Sequence, residues 1–307
     1  MPKRKHRRMI HEHLTPHWGF FYSVRKRLYK GRTKYQKIEM VDTPEFGRML
    51  RLDRITQVVE KNEYQYHEPM VHPAMCCHPR PRDILVVGGG DGGILREVVR
   101  YRSVRHIDIA EIDEKVIEFS RKYLSRMNRR SFEDRRVTVN VTDGRDFVRQ
   151  TKGAYDIIIM DMTDPFGPSK YLYTKEFFRL VKSSLKNKDG IFVMHADSPV
   201  WRPATFNAIV KTLSSVFPQV QPLYVYIQMY AALWSIGLSS SSKAVSTTTA
   251  SLVNRRLRRN GIRGLKVFTG ETFDAMRVAY PYVREILNKR SRILTDRRPD
   301  APEPVVR

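Results

Sequence analysis

Between residues 84 and 194, apolar runs without alternation are each followed by a stretch of helical character. Residues 84–87 lead through a glycine-rich segment into 94–100, and 107–110 lead into 114–124. Runs at 137–141 and 157–160, a helix over 175–185 and a run at 191–194 continue the series. Strands that are apolar at every position are buried on both faces, so the alternation predicts a parallel sheet covered by helices on each side. A helix over 205–217 and a closing pair of strands at 223–227 and 233–238 follow, and the Ser/Thr-rich segment 239–251 reads as an exposed loop.

The chain before residue 82 has a different pattern. Short runs with β-branched or aromatic residues at 35–39, 48–52 and 56–59 are separated by Asp42-Thr43-Pro44 and Asp53-Arg54, which predicts strands joined by turns. Trp18, Phe20, Phe21 and Tyr22 read as a further β element. Residues 62–75 look helical, but Pro69 and Pro73 predict an interruption. Pro79 and Pro81 then mark a boundary near Arg82. The expected organisation is a basic tail over 1–13, an N-terminal β domain over 14–82, a Rossmann-like domain over 83–290 and a basic, Pro-rich tail over 291–307.

Composition narrows this picture. A chain of 307 residues that is 41% hydrophobic and 29% charged can bury a sizeable core, which excludes disorder throughout. Its two cysteines, Cys76 and Cys77, are neighbours, so a disulfide framework and a four-cysteine zinc site are both excluded. Reduced thiols, the lack of any run near ~18 apolar residues and a basic start without an apolar signal segment together lead us to expect a cytoplasmic protein. The net charge of +24 is concentrated over 3–32 and 255–298. Such an excess favours polyanions, yet charge runs are more often solvated surface, and nucleic-acid contact through the basic ends is not expected. Arg255 to Arg259 reads as a solvated helix face. No metal is expected: His11, His13 and His17 fall in the basic start, and His67-Glu68 with His72 is one residue too long for H-E-x-x-H.

The chemistry begins at Gly88-Gly89-Gly90-Asp91-Gly92-Gly93, directly after the 84–87 run. Glycines at 88, 90 and 93 match G-x-G-x-x-G, which permits a tight turn and close approach of a ligand to the backbone. Glu111 ends the next strand, where a carboxylate can accept both ribose hydroxyls. Asp91 would repel a pyrophosphate, which steers away from a nicotinamide dinucleotide. Asp143-Gly144 follows the third strand and Asp161 the fourth, so carboxylates at 91, 111, 143 and 161 follow successive strand ends. An acidic rim in so basic a protein suggests a nucleoside ligand with positive charge, of the S-adenosyl type. Asp161-Met162-Thr163-Asp164-Pro165-Phe166-Gly167-Pro168 then offers two carboxylates, three apart, on a loop fixed by Pro and Gly. Such a pair can hold an ammonium group and accept its proton. The loop's composition also permits closure over a substrate.

Over residues 14–287 these motifs, with Tyr35-Gln36, Leu52-Asp53, Thr56-Gln57, Glu63, Tyr66-His67-Glu68, Arg96-Glu97 and Glu111-Ile112-Asp113, resemble the polyamine aminopropyltransferase (spermidine synthase) family. The resemblance implies an α/β fold, a Rossmann-like doubly wound sheet of the methyltransferase type preceded by a small N-terminal β domain. It implies transfer of an aminopropyl group from decarboxylated S-adenosylmethionine, as co-substrate and without a prosthetic group, to a primary amine, putrescine first. Asp161 would accept the proton, and Tyr66, His67, Asp91, Asp164 and Tyr230 would face the amine. Gln36 and Asp91 would meet the aminopropyl-sulfonium end, Gly88 and Gly90 the cofactor backbone side, Glu111 the ribose, Asp143 with Gly144 the adenine, and Pro168 the thioadenosine. A homodimer or homotetramer is implied as well.

Departures from the family pattern cluster around the amine: Arg54 where L-D-G is usual, Gln228-Met229 for P-T, Ala231-Ala232-Leu233-Trp234 in place of a P-S-G turn, and His195 for glutamine. Cadaverine, agmatine and spermidine therefore stay open as acceptors. Two other classes remain: a methyltransferase of a small amine or RNA, which leaves Asp91 and the Asp161 to Pro168 loop unexplained, and a non-catalytic nucleic-acid binder, against which the intact carboxylates argue.

Overall fold

The computed structural model describes residues 8–15 and 17–303. The chain opens with an antiparallel hairpin, β1 (Arg8–Thr15) and β2 (Trp18–Val24), followed by a four-stranded antiparallel meander of β3 (Lys26–Arg32), β4 (Lys37–Thr43), β5 (Gly47–Leu52) and β6 (Ile55–Val59). Residues 8–13 are therefore a strand, not a tail. Glu12 explains the difference: its carboxylate accepts from the Thr56 amide (3.0 Å) and hydroxyl (2.6 Å), which ties β1 to β6.

Helix α1 (Tyr64–Cys77) runs unbroken through Pro69 and Pro73, contrary to the expected interruption. Every residue from Tyr66 to Cys77 is buried, and this burial offsets the backbone hydrogen bonds that the prolines remove. Although the sequence reading groups it with the meander, α1 packs on the large sheet. Burial also pushes the free thiols of Cys76 and Cys77 up, to about 12 and about 11.

The large sheet contains β7 (Asp83–Gly88), β8 (His106–Glu111), β9 (Val137–Val141), β10 (Ile157–Asp161), β11 (Ile191–His195), β12 (Gln219–Ile227) and β13 (Ala232–Ser240). Its order is β12-β13-β11-β10-β7-β8-β9, with the five strands from β11 to β9 parallel and β13 antiparallel to both of its neighbours, β11 and β12. Alternate residues of the apolar strands feed two cores: Ile84 and Val86 pack on the α1 side, Leu85 and Val87 on the side of the helices Lys175–Ser184 and Pro203–Ser214. A third, smaller core joins the meander to the helix Glu114–Tyr123 through Ile38, Leu50, Leu52 and Val116.

Two further expectations change. Within 239–251, Ser239 and Ser240 complete β13 in full burial, and helices Ala244–Thr247 and Ala250–Arg259 follow. Ser240 tolerates this place because its hydroxyl finds a backbone partner, donating to Gly190 O at 2.9 Å. The C-terminal segment is docked as far as residue 303: Leu294 is inaccessible, Asp296 pairs with Arg145, and Glu303 accepts from the Thr205 amide. Among the described residues, no helix is long and apolar enough to cross a membrane.

Candidate active site

In the parallel part of the sheet the chain runs β7, β8, β9 in one direction and then returns to β10 and β11 on the other side of β7. The reversal point lies between β7 and β10, and open parallel sheets bind ligands beyond the C-terminal ends of the strands there. Gly88 and Asp161 are register partners at those two ends. A side chain on Gly88 (φ +80°) would place its Cβ 2.2 Å from the Asp161 carbonyl oxygen, and the Gly89 amide donates to that oxygen at 2.9 Å. The glycines thus let the loop after β7 lie directly on the end of β10.

A cavity of about 440 Å³ opens over this junction. Gln36, Tyr66, Gly90, Asp91, Glu111, Asp161, Asp164, Pro168 and Tyr230 all line it, brought from eight separate elements and loops. Four of the sequence candidates do not. Gly88 lies behind its loop. Asp143 is exposed and accepts from the amides of Arg145 (2.7 Å) and Asp146 (3.1 Å), capping the helix Gly144–Gln150, while Gly144 lies against Val87. His67 is wholly buried behind Asp91, under Gly93, where any Cβ would overlap the imidazole.

On the nucleoside side, Gly90 leaves room for Glu111: a Cβ there would sit 3.0 Å from Glu111 Oε2. Burial raises the Glu111 carboxyl to about 7, although the Asp113 amide donates to its Oε1 at 2.9 Å. Gln36 lines the cavity with Asp91 and donates to Asp113 Oδ2 (3.1 Å), next to Glu111.

Asp161 lies at the centre. The Tyr66 hydroxyl donates to its Oδ1 at 2.8 Å. Burial and the nearby negative charge of Asp91 raise its carboxyl to about 7, against the opposing pull of His67 and Tyr66. Asp91 Oδ1 accepts from the Gly93 amide at 2.6 Å, and His67 Nε2 lies 3.6 Å from Oδ2. Glu63 holds the other imidazole nitrogen at 2.5 Å and is itself clasped by Arg96 at 2.7 and 2.8 Å. Burial alone would depress His67, but Asp91 and Glu63 outweigh it and raise the imidazole to about 10. His67, Asp91 and Asp161 offer ligand atoms within 4.8 Å of one another. A protonated imidazole has no lone pair for a metal, so this trio is better suited to charge pairing.

The other half of the cavity holds Trp234, part of the departure after Tyr230, and residues that sequence reasoning did not single out: Glu12 from β1, Trp201 and Arg202. The sequence signal for Glu12 was its place between His11 and His13, which also line the cavity. Arg202 carried no motif; it pairs with Asp164 at 2.7 Å. Burial acts to raise Asp164, but Arg202 and His195 outweigh it and hold the carboxyl below its ordinary value. Two more of the departures noted above meet here, whereas Gln228, Met229, Ala231 and Ala232 do not line the cavity. Arg54 and His195 line the cavity, and His195 Nε2 lies 2.8 Å from Tyr173 Oη and 2.9 Å from Met162 O. The 163–173 loop is folded back on itself, with Tyr173 donating to Thr163 O and Ser169 to Asp164 O.

Comparison with known proteins agrees with this geometry. Residues 63–250 match the family model described as the spermine/spermidine synthase domain, and residues 9–60 match the spermidine synthase tetramerisation domain. A polyamine aminopropyltransferase of Nitrosomonas europaea is 37% identical over 278 residues, covering 91% of this chain and 85% of that protein. One from Thermococcus onnurineus is 41% identical over 218 residues, covering 71% and 77%. Among solved structures, a spermidine synthase in complex with the transition state analogue AdoDATO matches with a TM-score of 0.87 and 31% identity, covering 92% of this chain and 96% of that one. Spermidine synthase from Thermotoga maritima matches with a TM-score of 0.85 and 30% identity, covering 92% and 95%.

Proposed function

The chain belongs to the spermine/spermidine synthase family and is an aminopropyl-transferring enzyme of polyamine synthesis, and we propose that it moves the aminopropyl group of decarboxylated S-adenosylmethionine to putrescine with Asp161 as proton acceptor. The observation that supports this reading most is the convergence of Asp91, Glu111 and Asp161 on one cavity at the sheet's reversal point. Glu111 accepts from the ribose. Asp91, backed by the His67 imidazolium, receives the ammonium of the aminopropyl chain. An intact carboxylate on that chain would meet Asp91 as like charge, which disfavours ordinary S-adenosylmethionine. Asp143 and Gly144 serve the adenine from the exposed end of β9, and Pro168 closes over the thioadenosine.

An alkyl amine in water is protonated below about pH 10. It enters as an ammonium drawn to Asp161, Tyr66 and Tyr230, and gives one proton to Asp161, whose raised affinity near neutrality suits a general base. The freed nitrogen lone pair attacks the methylene next to the sulfonium in line with the C–S bond. The new C–N bond forms as the C–S bond breaks, sulfur takes the electron pair, and methylthioadenosine leaves uncharged. Neither a metal nor a covalent intermediate is required, because alignment and proton removal carry the step. Residues 9–60 would join copies of the chain into a homo-oligomer.

The test is product analysis of the purified protein with decarboxylated S-adenosylmethionine and putrescine, cadaverine, agmatine or spermidine. Spermidine and methylthioadenosine in equal amounts, with putrescine as the best acceptor, are expected. Methyl transfer from ordinary S-adenosylmethionine without methylthioadenosine release would overturn the reading.

A further inference from the structure

The acceptor half of the cavity already contains a cation supplied by the chain. Arg202 precedes the helix Pro203–Ser214, lines the cavity and is only 8% exposed. Its Nη2 donates to Asp164 Oδ2 at 2.7 Å and its Nε to Asp197 Oδ1 at 3.0 Å, and its guanidinium lies 5.2 Å from the Phe166 ring centre. The turn before it is fixed as well. The Arg202 amide donates to Ser198 O at 3.0 Å, the Ser198 hydroxyl accepts from the Val200 and Trp201 amides, and Trp201 stacks on Trp18 of β2.

Resting on the aminopropyl-transfer reading, we propose that Arg202 determines acceptor specificity by standing in for the second ammonium of a diamine at Asp164. The family resemblance gives Asp164 to the amine, but here its carboxylate is spent on a guanidinium. A substrate ammonium cannot take over both partners of that fork, because Arg bridges two carboxylates from one planar group and an ammonium is a point charge. Displacement would also strand a buried guanidinium and the fully buried Asp197. Recognition of a second positive charge is then left to Glu12, whose Oε2 already receives the Thr56 amide and hydroxyl. The attacking end, at Asp161 and Tyr66, is untouched by this arrangement. The consequence is an enzyme that accepts primary amines with one positive charge nearly as well as diamines of the same length.

The experiment compares putrescine with n-butylamine, which has the same chain length and lacks the second ammonium. The readouts are kcat/KM from methylthioadenosine release and Kd from calorimetry on the protein saturated with methylthioadenosine. In the unmodified protein the preference for putrescine should stay within about tenfold, and Arg202→Met should raise it by about tenfold or more through a lower putrescine KM at similar kcat. Arg202→Lys, which keeps a cation with less risk to folding, should retain the original preference. An unmodified protein that prefers putrescine by orders of magnitude, an Arg202→Met preference equal to the original, or a raised preference in Arg202→Lys would each overturn the proposal. Absence of methylthioadenosine release with every amine would count against the aminopropyl-transfer reading, and the Kd ratios would still decide the role of Arg202.

Discussion

The two halves of the cavity are built on different principles. The nucleoside half is assembled from strand ends and the loop that follows each one: Gly88 to Gly93 after β7, Glu111 at the end of β8 and Asp161 at the end of β10. Its geometry follows from the register of adjacent parallel strands. The acceptor half is assembled from pieces with no common scaffold: Glu12 on the first hairpin, Tyr66 on α1, Arg202 after β11 and Tyr230 between β12 and β13. Sheet topology imposes the first half, whereas the second is free to vary. This difference places the reaction in the register-set geometry of strand ends and the choice of amine in side chains that loops, α1 and the hairpin deliver.

The largest effect should separate chemistry from nucleoside binding. Asp161→Asn should lower turnover by about 10²–10⁴-fold while methylthioadenosine binding, read by calorimetry, stays close to that of the unmodified protein. Parallel loss of both would merge the two halves. Next, Glu111→Gln should weaken methylthioadenosine by about 10–100-fold, as expected for a hydrogen bond to a charged group, with the putrescine KM little altered. An unchanged dissociation constant would remove Glu111 from the ribose. Asp91→Asn should weaken decarboxylated S-adenosylmethionine by about tenfold and methylthioadenosine much less, since only the former carries the ammonium. Equal weakening of the two would move Asp91 away from the aminopropyl end.

The smallest effect belongs to Asp143. Asp143→Ala removes the cap of the helix Gly144–Gln150 and should cost about 1 kcal/mol of stability in denaturant titration. Asp143→Asn keeps a capping oxygen, so any loss of nucleoside affinity it shows reports an adenine contact free of the capping term.

The same contrast explains what was legible in the sequence. The parallel sheet, the glycine loop and the carboxylates at 91, 111 and 161 could be read because each lies within a few residues of an apolar strand, and strand ends converge in such sheets. His67 was given to the amine together with Tyr66, and the turn of α1 that sends it under Gly93, behind Asp91, does not show in their sequence proximity. The bond from Gln36 to Asp113 joins residues 77 apart and was not visible in the sequence. Arg202 and Asp197 carried no motif, and Glu12 offered only its place between His11 and His13; Arg202 meets Asp164 38 residues away and Glu12 meets Thr56 44 residues away. The prolines of α1 and the basic C-terminal segment misled for a related reason: Pro and Arg report local preference, while the burial of α1 and of Leu294 is a tertiary gain that local preference does not contain.

The most direct test of the central claim is the pH dependence of kcat/KM for putrescine at saturating decarboxylated S-adenosylmethionine. Asp161 must be ionised to accept the proton, and its carboxyl lies at about 7 in the free protein, so activity should fall as pH drops through that value and level off above it. The bound amine arrives protonated in this account, so no further rise is expected, and the rate should fall once the amine itself titrates. A rate that climbs steadily from pH 6 toward about 10, the range of a free alkyl amine, would mean that the neutral amine is taken from solution and that Asp161 is not its base.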